Sequence, residues 1–129
     1  MKRNWIIYYF FILVIISGCS FEGESFYRDE YKLATELEMP KLAEFIEGGG
    51  EWGLTYGIFK LPNNEWNQAV KPLLKRAIRD RENIIGFNPE KQKSIGKNSD
   101  VFILRTKRRY VIISINEKNK MIFWEVWHS

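Results

Sequence analysis

Cysteine and histidine are nearly missing from this 129-residue chain, which has one of each, Cys19 and His128, and only four prolines. A lone thiol excludes an internal disulfide and a cysteine-built metal centre, so the fold has to be held by packing. The lone histidine is expected opposite Arg109 near a strand end, a poor setting for a general base or for a metal ligand that needs a neutral ring. No metal and no dissociable cofactor is expected. Long apolar runs are missing too: the longest, from Trp5 to Ile16, is twelve residues, against roughly 20 for a helix that spans a bilayer. Gly48-Gly49-Gly50 is followed by Glu51-Trp52-Gly53, where a phosphate-binding loop needs Lys and Ser/Thr at a helix start. The run reads instead as a helix stop and flexible turn. Glu51, Glu65 and Glu125 supply carboxylates for a glycosidase-like pair, but acidic residues are so common here that the pair is unconstrained. A non-enzymatic protein is the expectation.

The start of the chain carries the clearest pattern. Lys2 and Arg3 precede the apolar run and Ile16-Ser17-Gly18-Cys19 closes it, the order of an export signal: basic, apolar, then small residues before a cleavage point. These four residues resemble the lipobox of bacterial lipoproteins, with Ile16 where leucine is commonest and Ser20 unlike the aspartate that retains some lipoproteins at an inner membrane. The resemblance covers residues 1–20. It implies that 1–18 are a signal peptide cut away between Gly18 and Cys19, and that a diacylglycerol group and acyl chains are attached at Cys19. It also implies export, with the protein anchored on the outer face of the cell membrane, or on the periplasmic side or outer membrane of a two-membrane bacterium.

Residues 19–129 suffice for one domain and are too few for two. Residues 19–25 are expected to form the lipidated cysteine and a short tether, and 26–129 a single α+β domain. Its halves are oppositely charged. Residues 19–65 carry 4 basic and 10 acidic side chains, net −6, while 66–129 carry 14 and 6, net +8. Mutual pairing of the halves is the simpler account of that asymmetry, and a directed basic binding face is the other.

Within the domain, Tyr31, Ala34, Leu37, then Leu42, Phe45 and Ile46 recur at helical spacing, with Pro40 dividing residues 28–47 into two short helices or kinking one. From Trp52 to Leu61 the alternation is that of a strand, with Trp52, Leu54, Tyr56 and Ile58 on one face and Gly53, Thr55, Gly57 and Phe59 on the other. Gly53 and Gly57 leave space that either close packing or a ligand groove fills. Asn64 is an expected N-cap for an amphipathic helix whose core face is Trp66, Ala69, Val70, Leu73, Leu74, Ala77 and Ile78, and Pro72 inside it predicts a kink or restart. Residues 83–100 read as a connection, with Ile84, Ile85 and Phe87 as a short edge strand.

The C-terminal block predicts a three-strand antiparallel meander with turns at Lys107-Arg108 and Lys118-Asn119. In that register Leu104 and Phe102 meet Val111 and Ile113, Ile115, Ile113 and Val111 meet Ile122, Trp124 and Val126, and Glu117 pairs with Lys120. Its other face, a mixture including Ile103, Ile112, Ser114, Phe123, Glu125 and Trp127, is to be covered by the N-terminal helices or exposed to a partner. The expected fold class is therefore α+β in two layers: N-terminal helices, one strand, an amphipathic helix and the meander.

Two basic groups are candidate binding residues. Lys71, Lys75 and Arg79, flanked by Arg76 and Arg81, form a stripe on the helix face away from the core, and Lys107, Arg108 and Arg109 cluster at a hairpin end. Anionic lipid, a wall polymer or an acidic envelope protein would suit them; a merely solvated or internally paired charge is the competing account. Export argues against nucleic acid as a partner, and none is expected. The functional expectation is a lipid-anchored, non-enzymatic binding domain in an accessory or immunity-like role, close to the membrane because its tether is short. The alternative is a wall-acting hydrolase or a small-ligand sensor.

Overall fold

The computed structural model describes residues 23–51, 53–76, 86, 88–106 and 109–128. The signal segment, Gly18, Cys19, Trp52, Ala77, Ile78, Arg79, Arg81, Ile84, Ile85, Phe87, Lys107 and Arg108 lie outside the described residues, and with them the expected cleavage site, edge strand and hairpin turn. No helix among the described residues is long and apolar enough to cross a membrane.

The first helix, α1 (Glu24–Thr35), forms because Tyr27, Tyr31, Ala34 and Thr35 share one face and are buried, while Glu24 and Arg28 pair at i, i+4 across 3.1 Å on the outer side. It starts two residues before the expected Phe26. It stops where Glu36 turns left-handed (φ 62) and donates its N–H to the Lys32 carbonyl. The chain then runs back under Arg28, whose guanidinium donates to the carbonyls of Met39, Pro40, Lys41 and Ala43 at 2.6 to 3.3 Å.

Here the expectation of a second helical piece fails. Residues Glu44–Glu51 form strand β1, and Gly48, Gly49 and Gly50 lie within it rather than in a turn. Three glycines weaken a helix by about 1 kcal/mol each, and of the three apolar residues at helical spacing only Phe45 packs on the core. Leu42 is 66% exposed and Ile46 is 44% exposed. The pairing slips between Phe45 and Glu47, a bulge that turns Ile46 out of the ladder.

Strand β2 (Leu54–Lys60) follows as expected, and Gly53 at φ +80 makes the tight connection from β1. Helix α2 (Asn63–Arg76) buries Trp66, Ala69, Val70 and Leu73 and holds Pro72 within it. It begins at Asn63, so Asn64 is a helical residue, not the cap. Beyond the residues outside the description comes a one-turn helix, α3 (Pro89–Lys93). Strands β3 (Asp100–Arg105), β4 (Tyr110–Asn116) and β5 (Met121–Trp127) then form the meander.

The meander register is the expected one, with Phe102 opposite Ile113, Leu104 opposite Val111, and Ile113 opposite Trp124. The last pair before the final turn is Asn116 with Met121, so Glu117 to Lys120 form a four-residue loop and Glu117 does not pair with Lys120 in the ladder. Asn116 explains the early stop: its amide donates to the Lys97 carbonyl and its Oδ1 accepts the Asn119 N–H.

The sheet is larger than expected, with five antiparallel strands in the order β1-β2-β5-β4-β3. The addition is β1, and the joint is β2 against β5, which sets Gly57 beside Trp124 and Leu54 beside Trp127. Helices α1 and α2 cover one face, over a core that includes Phe59, Trp124, Leu104 and Ile113. The second face carries a small cluster of Ile58, Ile95 and Phe123, with Tyr56 and Met121 against it. This corrects the two-layer expectation. The second face is overlaid by the segment around α3 and Ile95 rather than by the N-terminal helices, and the stretch read as a mere connection buries Gln92 and Ile95.

Candidate functional site

At the end of the β1–β2 hairpin, on the α3 side of the sheet, lies a groove of about 500 Å³. Strand β1 supplies Gly49, Gly50 and Glu51, β2 supplies Leu54 and Tyr56, β5 supplies Trp127, and Asn88 closes it from the segment leading into α3. Alternation along the strands puts Glu47, Gly49 and Glu51 on the same face as Tyr56, and the β2–β5 pairing brings Trp127 across from Leu54.

One wall is rigid. The Tyr56 hydroxyl donates to Glu47 Oε2 at 3.0 Å, and Lys91 on α3 donates to Glu47 Oε1 at 2.8 Å. The Tyr56 ring stacks on Phe123 at 6.0 Å and lies over Gly49, where a Cβ would come within 2.9 Å of it. Burial, then the hydrogen bond to Glu47, push the Tyr56 phenol up to about 12. The hydrogen bond from Lys91 holds the Glu47 carboxylate below its usual range. Both groups are therefore fixed in one protonation state at neutral pH, phenol and carboxylate.

The open part is polar. Glu51 is exposed, and neither its carboxylate nor the side-chain amide of Asn88 has a hydrogen-bond or ion-pair partner among the described residues. Asn88 sits at the N-cap of α3, yet its side chain makes no cap bond. Glu51 is the only charged side chain among the described residues lining the groove.

The other candidate carboxylates are elsewhere. Glu65 on α2 accepts the Leu42 N–H at 3.2 Å on the opposite side of the sheet. Glu125 is fully buried, and its Oε1 accepts the Asn88 N–H at 3.1 Å. Gly86 passes so close to Glu125 that a Cβ there would collide with the carboxylate.

His128 does come near Arg109, and both meet Glu30 of α1. Glu30 Oε2 is 3.2 Å from His128 Nε2 and 3.9 Å from Arg109 Nη1. Thr55 Oγ1 lies 3.0 Å from the same Nε2. A hydroxyl, a histidine and a carboxylate are thus adjacent, but both partners fall on one ring nitrogen. A relay needs one partner at each nitrogen, so this cluster ties α1 to the sheet and is not a nucleophilic triad.

The basic candidates divide. Lys71 and Lys75 are exposed on α2, whereas Arg76 beside them donates to the Thr35 carbonyl at 3.1 Å and sits 3.5 Å from Glu36. Arg109 is drawn toward Glu30 and away from a surface cluster. Arg79, Lys107 and Arg108 lie outside the described residues, as do Gly18 and Cys19. Of the groove residues only Glu51 stood out in the sequence. Gly57, the position read as a possible groove floor, is instead filled by the Trp124 indole, which a Cβ would approach to 2.8 Å. Comparison with protein-family models, with curated proteins and with solved structures finds no match for this chain.

Proposed function

We propose that this chain is a lipid-anchored protein of the cell envelope that binds rather than transforms its ligand, with the groove at the β1–β2 hairpin as its binding site. The observation that carries the reading is the dispersal of the candidate carboxylates. Glu51 alone reaches the groove, Glu65 is spent on a backbone N–H across the sheet, and Glu125 is buried in a backbone hydrogen bond. An acid–base pair flanking a substrate therefore has no second member among the described lining residues, while a polar groove with aromatic walls suits recognition. The same groove supports the second reading, a sensor of a small ligand.

The lipobox-like Ile16-Ser17-Gly18-Cys19 supports the anchor. Helix α1 begins five residues after Cys19, a stretch that reaches at most roughly 18 Å, so an acylated Cys19 holds the domain against the bilayer. Lys71 and Lys75 then serve as auxiliary contacts to anionic lipid or wall polymer, each adding about 1 kcal/mol near the surface.

Crosslinking in cells, followed by fractionation and recovery of the protein, tests this with the Cys19→Ser and Glu51→Gln variants. Wild type is expected in the membrane fraction with a crosslinked species. Cys19→Ser is expected to become soluble, and Glu51→Gln to stay on the membrane but lose the crosslink. A Cys19→Ser protein still wholly in membranes contradicts the anchor, and unchanged crosslinks in Glu51→Gln contradict the site.

A further inference from the structure

We infer that the hairpin groove takes a glycan: a ligand built of saturated, hydroxyl-bearing rings. The inference rests on the groove being the binding site and adds the chemistry of what fills it. Three classes of ligand are separated by the lining. An anionic ligand, phosphate or carboxylate, finds no cation among the described residues of the groove wall. The nearest α3 lysine with a defined contact, Lys91, is already committed to Glu47 at 2.8 Å, and the one charged lining residue, Glu51, is itself negative. The candidate basic residues on α2 project from the other face of the sheet.

An organic cation would use Glu51, but it needs open aromatic faces around it. Besides Trp127 the described lining holds one aromatic, Tyr56, and it offers no face. Its ring is stacked on Phe123 on one side and laid over Gly49 on the other, so it presents an edge and a hydroxyl that already donates to Glu47. The Asn88 amide would add nothing to an alkylammonium group.

A sugar matches each part. The Glu51 carboxylate accepts hydrogen bonds from two hydroxyls, and the Asn88 amide both donates and accepts, which is the complement of adjacent hydroxyls that do the same. Gly49 lies under the Tyr56 ring, and Gly50 adds no side chain to the lining. Leu54 and Trp127 supply apolar wall for the C–H face of that ring. A volume of about 500 Å³ lies within the range of ligand pockets. Glu51 is exposed and Asn88 half-buried at the groove's edge, so neither side chain needs a protein partner for the fold to stand.

The test uses the full chain, purified from whichever cell fraction holds it and placed in lipid nanodiscs if acylated. Chitotetraose, cellotetraose and maltotetraose are titrated by calorimetry, with tetramethylammonium chloride and inorganic phosphate as the competing chemistries. Saturable binding of at least one tetrasaccharide is expected, weakened about tenfold or more by Glu51→Gln, as loss of a hydrogen bond to a charged group implies. Asn88→Ala should weaken it as well, and Lys118→Ala, exposed in the β4–β5 turn at the far end of the sheet, should leave it unchanged. Both groove substitutions are at side chains without hydrogen-bond or ion-pair partners among the described residues, so the fold is expected to stand, and circular dichroism verifies it.

No saturable binding by any tetrasaccharide overturns the inference, as does sugar binding that ignores both groove substitutions. Binding of tetramethylammonium or phosphate alone, sensitive to Glu51→Gln, overturns the glycan while leaving the groove as the site. Loss of the in-cell crosslink's dependence on Glu51 would instead overturn the site itself.

Discussion

Tyr56 and Glu47 show how single side chains set the groove. The phenol is half-buried and donates to a carboxylate that Lys91 also holds, so tyrosinate is disfavoured and carboxylate favoured. The signs follow. The raised Tyr56 value contributes stability in full below its ordinary value of 10.0, and this is lost as pH rises through about 12. The lowered Glu47 value contributes stability above the usual carboxylate range, lost as pH falls through the folded-state value. Glu47→Gln should lower the Tyr56 value yet leave it above 10.0, because burial, the first cause, persists. Titration of the tyrosine Cζ resonances by NMR checks this, and an unchanged Tyr56 curve would mean that Glu47 does not hold the hydroxyl. Gly57 is the other residue with a sharp expectation. A Cβ would stand 2.8 Å from the Trp124 indole, which is fully buried. Gly57→Ala should therefore cost about 1 to 3 kcal/mol by overpacking, read as a lower midpoint in thermal unfolding.

Among the elements, β1 and its approach are the unexpected part, and Arg28 organises them. One guanidinium on α1 satisfies carbonyls of Met39, Pro40, Lys41 and Ala43 while its Cζ lies 5.4 Å from the Phe59 ring centroid. Arg28→Ala should cost about 1 to 3 kcal/mol and speed amide exchange across residues 36–43 in hydrogen–deuterium exchange. Lysine should not rescue it, since one ammonium cannot span these carbonyls. Unchanged exchange in the alanine variant would show that the segment is held by packing instead. The meander was legible in the sequence because its register rests on alternating apolar pairs such as Ile113 with Trp124, and α2 because its apolar stripe is long. Strand β1 was not, because Leu42, Phe45 and Ile46 imitate a helix stripe although two of them face solvent. Its glycines look like a turn, and only the distant Tyr27 and Tyr56 rings, which fill the space beside Gly48 and Gly49, reveal them as strand. The groove was legible only in Glu51: it meets Leu54, Tyr56, Asn88 and Trp127 through the β1–β2 and β2–β5 pairings, which no local pattern announces.

For the molecule as a whole, the opposed charges of the two halves meet at three places among the described residues. Arg76 with Glu36, Lys91 with Glu47, and Arg109 and His128 with Glu30 each join a base of the second half to an acid of the first. Partly exposed pairs of this kind add little stability each, but they set α1, α3 and the sheet in register with one another. Among the charges left over are Lys71 and Lys75 on one side of the sheet and Glu51 on the other. The functional reading joins that surface to an anchor at Cys19, and the anchor is the part on which the rest depends. The most direct measurement is the intact mass of the protein recovered from its own cells. A chain beginning at Cys19 and heavier than residues 19–129 by a diacylglycerol group, with or without a further acyl chain, is the expected result. A chain that retains Met1 to Gly18, or that begins at Cys19 with an unmodified thiol, would contradict the account.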